Sequence, residues 1–169
     1  CKFEVGTDWI SIYSNFNRLT SGETSFSWVS NPLYSLISFI SFHAGFSIFG
    51  VYVTCAVIFS FGLFSLLSRL SRPWLSFCCF YPYYIMVFSF NFDRQSAALG
   101  FAMLGISQLL DSRKIRYILL LLLGALFHPT VLILTPLLFA TKSLTSKNYI
   151  LSIFAFAFLF LMSIQLFYT

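Results

Sequence analysis

From Thr24 to Ser68 the chain carries no Asp, Glu, Lys or Arg. A single helix across 33–68 would be about 54 Å long at 1.5 Å per residue, well past the hydrocarbon thickness of a bilayer. The run therefore has to break, and Ala44-Gly45 is the natural place, because Gly tolerates backbone conformations that end a helix. Before the break lies a short apolar piece, Pro32–His43, too short to span and better suited to an interfacial or re-entrant position. After it, Phe46–Ser68 is long enough to cross. Arg69 and Arg72 follow, and Pro73 stops the helix.

The rest of the composition agrees with a bilayer rather than water. Of 169 residues, 59% are hydrophobic and 9% charged, against about 25% charged in a soluble domain. Disorder is excluded by 23 Phe and a mean hydropathy of +0.87. The net charge of +5 does not indicate nucleic acid, since the basic residues stand singly or in small groups between apolar runs, as membrane-flanking charge does. The cysteines, Cys55, Cys78 and Cys79 among them, are too sparse for a disulfide scaffold and read as small packing residues. The opening Cys1-Lys2-Phe3-Glu4 has no initiating Met and no leader pattern, so the start reads as internal and further upstream spans are expected.

These features predict an all-α, polytopic transmembrane helical bundle with a short interfacial or re-entrant helix and a Pro-broken span. It would form a single domain over 1–169. Residues 1–32 make a polar extracytoplasmic segment and 33–43 the short helix. Spans are expected at about 46–68, 74–90, 95–110, 117–140 and 148–168. Pro82 should kink the second, and His128-Pro129 should bend or break the fourth, which leaves open whether 117–140 crosses or turns back. Arg69, Arg72, Arg113, Lys114 and Arg116 flank one side, which the excess of cytoplasmic Lys and Arg makes the inside. The 91–94 turn then faces outward. Lys142 and Lys147 fit less well: they lie outside if 117–140 crosses, and inside if it turns back at Pro129.

Arg94 is the most informative residue. It opens a helix, where the macrodipole disfavours a cation by roughly 0.3–1 kcal/mol. An anion held between Arg94 and the first free N–H groups would account for it, since both suit phosphate oxygens. An internal pair with Asp8, Glu23 or Asp93, or snorkelling to the interface, is the alternative. Asp93 suits the N-cap of the same helix. Small residues behind Arg94 (Ala97, Ala98, Gly100, Ala102, Gly105) allow a neighbouring helix to pack closely. His128 lies within a span beside a helix breaker, where an ionisable group faces a bundle interior or an aqueous cavity. Asp8, after Gly6-Thr7, is either an N-cap or a carboxylate able to take a hydroxyl proton. Trp9 and Tyr13 can stack on sugar faces, and Glu23 is ambiguous in the way Asp8 is. No metal-ligand spacing, phosphate loop or nucleophile signature is present.

Gly6-x-Asp8 with Tyr13, then Glu23, then Asp93-Arg94-Gln95 opening a helix, then Leu126-Phe127-His128-Pro129-Thr130 in a later span: in this order the chain resembles the EpsG-type family of Wzy-like polysaccharide polymerases, over about Val5–Ala140. The resemblance implies a multi-pass protein of the bacterial cytoplasmic membrane. Its reaction would be glycosyl transfer joining undecaprenyl-diphosphate-linked oligosaccharide repeat units at the outer face, for O-antigen, capsule or exopolysaccharide. Arg94 would offset the charge developing on the diphosphate leaving group. Asp8 or His128 would receive the hydroxyl proton, and Trp9, Tyr13, Glu23 and Gln95 would contact substrate. No cofactor or metal is implied. The partners would be the lipid-linked oligosaccharide and the bilayer, with a flippase and a chain-length regulator as possible associates, and no nucleic acid. A membrane carrier or flippase would also place Arg94 and His128 inside a bundle, but no repeat relates two halves. A membrane O-acyltransferase would use an intramembrane His, and leaves Arg94 and the Gly6-Thr7-Asp8 turn without a role.

Overall fold

The computed structural model describes residues 9–21, 31–82 and 93–140, and among these residues the chain is entirely helical, with no strand. The helices are α1 (Trp9–Thr20), α2 (Pro32–His43), α3 (Ser47–Leu67), α4 (Pro73–Phe80), α5 (Asp93–Leu110) and α6 (Lys114–Ala125). A 3₁₀ segment over Pro129–Leu134 and a single turn, α7 (Leu137–Ala140), close the described chain. Pro starts α2, α4 and the 3₁₀ segment, where its missing N–H costs nothing and its fixed φ suits a first helical position. The break between α2 and α3 falls at Ala44-Gly45, with Gly45 at φ +77°. Pro82 follows Tyr81 in a widened turn that continues α4. The remainder of the 74–90 run, the 91–92 part of the turn and the 148–168 run lie outside the described residues.

α5 is the centre of the molecule. It lies against α3 on one side and α6 on the other, and its small residues make both approaches close. A Cβ on Gly62 of α3 would run into the Gly100 backbone, and one on Gly100 would lie 2.7 Å from the Ile58 carbonyl oxygen. On the other side a Cβ on Gly124 of α6 would lie 3.1 Å from the Ala98 oxygen, and one on Gly105 would lie 3.1 Å from the Tyr117 ring. With so little side chain between them, the helices gain dispersion contacts from backbone against backbone. Ala97, Ala98, Ala102, Cys55, Val51 and Tyr117 form the centre of the core.

Contact register gives the directions. Ile58 and Gly62 meet Gly100, Ser65 bonds Ser107 at 3.0 Å, and Arg69 pairs with Asp111. Numbers rise together, so α3 and α5 are parallel. Along α6 the order is reversed, Tyr117 against Gly105 and Gly124 against Ala98, so α5 and α6 are antiparallel.

The exterior is apolar as well as the core. Along α2, Tyr34, Ser38 and Ser41 are buried while Leu36, Phe39, Ile40 and Phe42 are exposed. Spacing of i, i+4, i+7 puts the three hydroxyl-bearing residues on one face, and the serine hydroxyls donate to the Tyr34 and Ser47 carbonyls. Phe49, Val53, Val57, Phe61 and Phe64 cover the exposed face of α3. Such a surface is stable only against an apolar surrounding. Among the described residues one helix, α3, is long and apolar enough to cross a membrane, at mean hydropathy 2.0 over 21 residues. Cys55 is a packed core residue, whereas Cys78 and Cys79 are exposed on α4, unlike the packing role expected of them.

Arg69 reaches across from the end of α3 to the end of α5. Its Nη2 donates to Asp111 Oδ2 at 2.8 Å and its Nε to both carboxylate oxygens at 3.2 Å, while Nη1 donates to the Ser65 carbonyl. The Arg69 fork holds the Asp111 carboxyl below the usual carboxylate range. This end also carries Arg72, Arg113, Lys114 and Arg116 on neighbouring turns.

Candidate functional site

Arg94 and His128 come to the same end of the bundle, opposite Arg69–Asp111. The crossing of Ala98 and Gly124 fixes this. Arg94 lies four residues before Ala98, and His128 four after Gly124, to whose carbonyl its own N–H donates at 3.0 Å. In antiparallel helices these steps run in the same direction, about 6 Å each. A backbone bond from Leu33 N–H to the Leu126 carbonyl, 3.3 Å, ties the start of α2 to the turn that carries His128. Tyr34 follows directly, and its ring lies under the Arg94 guanidinium, 5.3 Å from ring centroid to Cζ.

That stacking accounts for one face of the guanidinium. A desolvated cation–π pair stabilises by about 2 kcal/mol, yet it satisfies no N–H. The Arg94 Nε is buried and donates no hydrogen bond among the described residues, and a buried donor left unmade costs about 1–3 kcal/mol, more when charged. An acceptor at this position would remove the cost. The neighbouring acid does not serve through Nε: Asp93 is 6% exposed in the first turn of α5, not ahead of it as an N-cap, and lies within electrostatic range of Tyr34 and Tyr52. Its charge suits the helix start. Ser96 donates back to the Asp93 carbonyl at 2.8 Å, which stiffens that first turn.

His128 stands at the entry to the 3₁₀ segment with extended backbone, φ −157° and ψ 123°, the conformation a following proline imposes. Pro129 has no N–H to satisfy, so Thr130 is the first residue of the turn that needs an acceptor. His128 Nδ1 supplies it, 3.4 Å from the Thr130 amide and 2.7 Å from its Oγ1. The ring is half-buried. The expected long span over 117–140 is thus interrupted: α6 starts a turn earlier, at Lys114, and ends at Ala125. Phe127 remains packed, its ring 5.6 Å from that of Phe101, and the buried Tyr117 hydroxyl donates to the Leu134 carbonyl, clamping the 3₁₀ segment onto α6.

Of the other residues singled out by sequence, Gln95 is half-buried beside Arg94. Tyr13 is half-exposed on α1, which docks on α2 through an edge-to-face pair of Phe16 and Phe42. Trp9 begins α1, and its side chain is not among the described ones. Asp8 and Glu23 lie outside the described residues. Sequence reasoning missed Tyr34 and gave Thr130 no part. A Tyr one turn into an otherwise Phe-, Leu- and Ile-rich helix was the available signal for the first; a hydroxyl two residues after a pre-proline His was the signal for the second. Among the described residues no three His, Cys, Asp or Glu side chains gather closely enough to hold a metal ion.

A match to the EpsG family extends over residues 1–168. The chain belongs to the EpsG family. No curated protein and no solved structure gives a significant match. EpsG membership together with the apolar α3 makes this a membrane protein, and it attaches the chain to polysaccharide biosynthesis. In this EpsG chain Arg94, in the first turn of α5, and His128, just beyond the end of α6, lie toward the same end of the helices.

Proposed function

We propose that this protein is a polysaccharide polymerase of the cytoplasmic membrane. It joins undecaprenyl-diphosphate-linked oligosaccharide units by glycosyl transfer at the outer face, as part of a multi-pass helical bundle. The observation that carries the reading is the buried Nε of Arg94, which has no hydrogen-bond partner among the described residues and is held over Tyr34 at the first turn of α5. A diphosphate oxygen is the acceptor that such a donor and a helix start favour together. In the reaction the glycosidic C–O bond to the diphosphate breaks, and a bond forms from the anomeric carbon to an acceptor sugar hydroxyl. The hydroxyl proton passes to a base, and the diphosphate leaves with added negative charge. Preorganised cations at that point lower the barrier. Family membership supports the polymerase class, and the apolar exterior supports a bilayer around the helices.

Complementation of a polymerase-null strain, scored by the length ladder of surface polysaccharide on a gel, tests this. The wild-type chain should restore the ladder. Arg94→Ala should reduce activity by about 100-fold or more, the scale of losing one charge-stabilising donor. Arg94→Lys should lose most activity too, because a point charge does not reproduce a planar fork. Equal protein levels in the membrane are required for either comparison. A wild-type ladder from Arg94→Ala would refute the reading.

A further inference from the structure

We infer that Thr130 is a positioning residue that fixes the tautomer of His128, with the lone pair on Nδ1 and the proton on Nε2, so that His128 is not the base of the reaction. The functional half of this inference rests on the polymerase reading; the tautomer itself does not. The Thr130 amide, 3.4 Å from Nδ1, can only donate, which requires a bare Nδ1. With Nδ1 bare, the Thr130 hydroxyl at 2.7 Å donates as well, and this shorter bond is the stronger of the two that share the lone pair. The reverse tautomer would set Nδ1–H against the amide N–H.

Backbone geometry makes the arrangement hard to escape. Pro129 fixes its own φ and pushes His128 into extended conformation. The imidazole then stands where Asn, Asp or Ser caps a helix, and a ring nitrogen does the work of a capping oxygen. A neutral imidazole with Nδ1 occupied has its remaining nitrogen as a donor. That nitrogen already carries its proton, and with Nδ1 engaged by Thr130 the ring has no open lone pair for a hydroxyl proton.

The chain contains two histidines, and the other is a built-in contrast. His43 Nδ1 lies 3.0 Å from the Phe39 carbonyl oxygen, and a carbonyl only accepts, so His43 carries its proton on Nδ1. Nitrogen-15 spectra of the histidine-labelled full chain in micelles, at a pH where both rings are neutral, should therefore show one ring of each tautomer, assigned with His43→Gln. Thr130→Val should let the His128 ring exchange between tautomers and reduce polymer formation about 10-fold, whereas Thr130→Ser should restore both the spectrum and the ladder. A protonated Nδ1 on His128 in the wild-type chain would overturn the inference, as would an unchanged ladder from Thr130→Val. If the wild-type chain itself restores no ladder, the polymerase reading fails, while the spectra still decide the tautomer.

Discussion

At the scale of single residues the described part of the proposed site is a cation stacked on a tyrosine and a histidine held by its own turn. The Arg94 Nε has no acceptor among the described residues, and His128 has its Nδ1 engaged by Thr130. On the proposed tautomer His128 takes up no proton, and the base proposed is then Asp8, a carboxylate in the most polar segment of the chain. Asp8→Asn should then abolish polymerisation, because an amide of the same shape has no basic oxygen. His128→Gln should leave partial chain extension, since Gln keeps one hydrogen bond and the proposed base lies elsewhere. Gel ladders from the two variants at matched membrane levels check this, and a normal ladder from Asp8→Asn would return the base to His128. Arg94 was legible in the sequence because a cation at a helix start contradicts the dipole, and such a local contradiction shows without a fold. Tyr34 was not, because its role depends on a helix sixty residues away settling above it. Thr130 lay between: the His-Pro-Thr geometry is local, but the bond to Nδ1 shows only once the ring has a rotamer.

At the scale of elements, α5 owes its central place to what it lacks. Ala97, Ala98, Gly100, Ala102 and Gly105 leave its backbone open to α3 and α6. This was readable as a run of small residues, and so was the break at Ala44-Gly45, where one run was too long for one helix. Partner and direction were not readable, because small-residue spacing says that something packs closely and not what packs. The Gly62–Gly100 crossing should be the least tolerant point in the molecule. Gly62→Ala would force its new methyl into the Gly100 backbone, which no rotamer relieves, and the strain should destabilise the fold by about 1–3 kcal/mol. Ser60→Ala, exposed on the same helix, should be neutral. Denaturation of the two variants in one detergent gives the comparison, and equal stability would mean that α3 and α5 do not approach as closely as described.

At the scale of the whole molecule, charge divides the bundle into two unlike ends. Arg69, Arg72, Arg113, Lys114 and Arg116 meet at one end, with Asp111 bound to Arg69 as the acid of the 111–116 stretch. Arg94, Tyr34 and His128 occupy the other. Cationic turns are retained on the cytoplasmic side, so the site end should face outward, toward lipid-linked donors already carried across. The parallel course of α3 and α5 strengthens the argument: it makes Arg69 and Asp111 one cluster from two separate turns, so one orientation satisfies both. Single cysteines in a background freed of the native four test it in intact cells with a membrane-impermeant thiol reagent. Phe92→Cys, adjoining the start of α5, should be labelled directly. Ser71→Cys, exposed between Arg69 and Arg72, should be labelled only after the membrane is opened. The reverse pattern would put Arg94 on the cytoplasmic side, away from an extracytoplasmic donor, and the orientation and the polymerase reading would fall together.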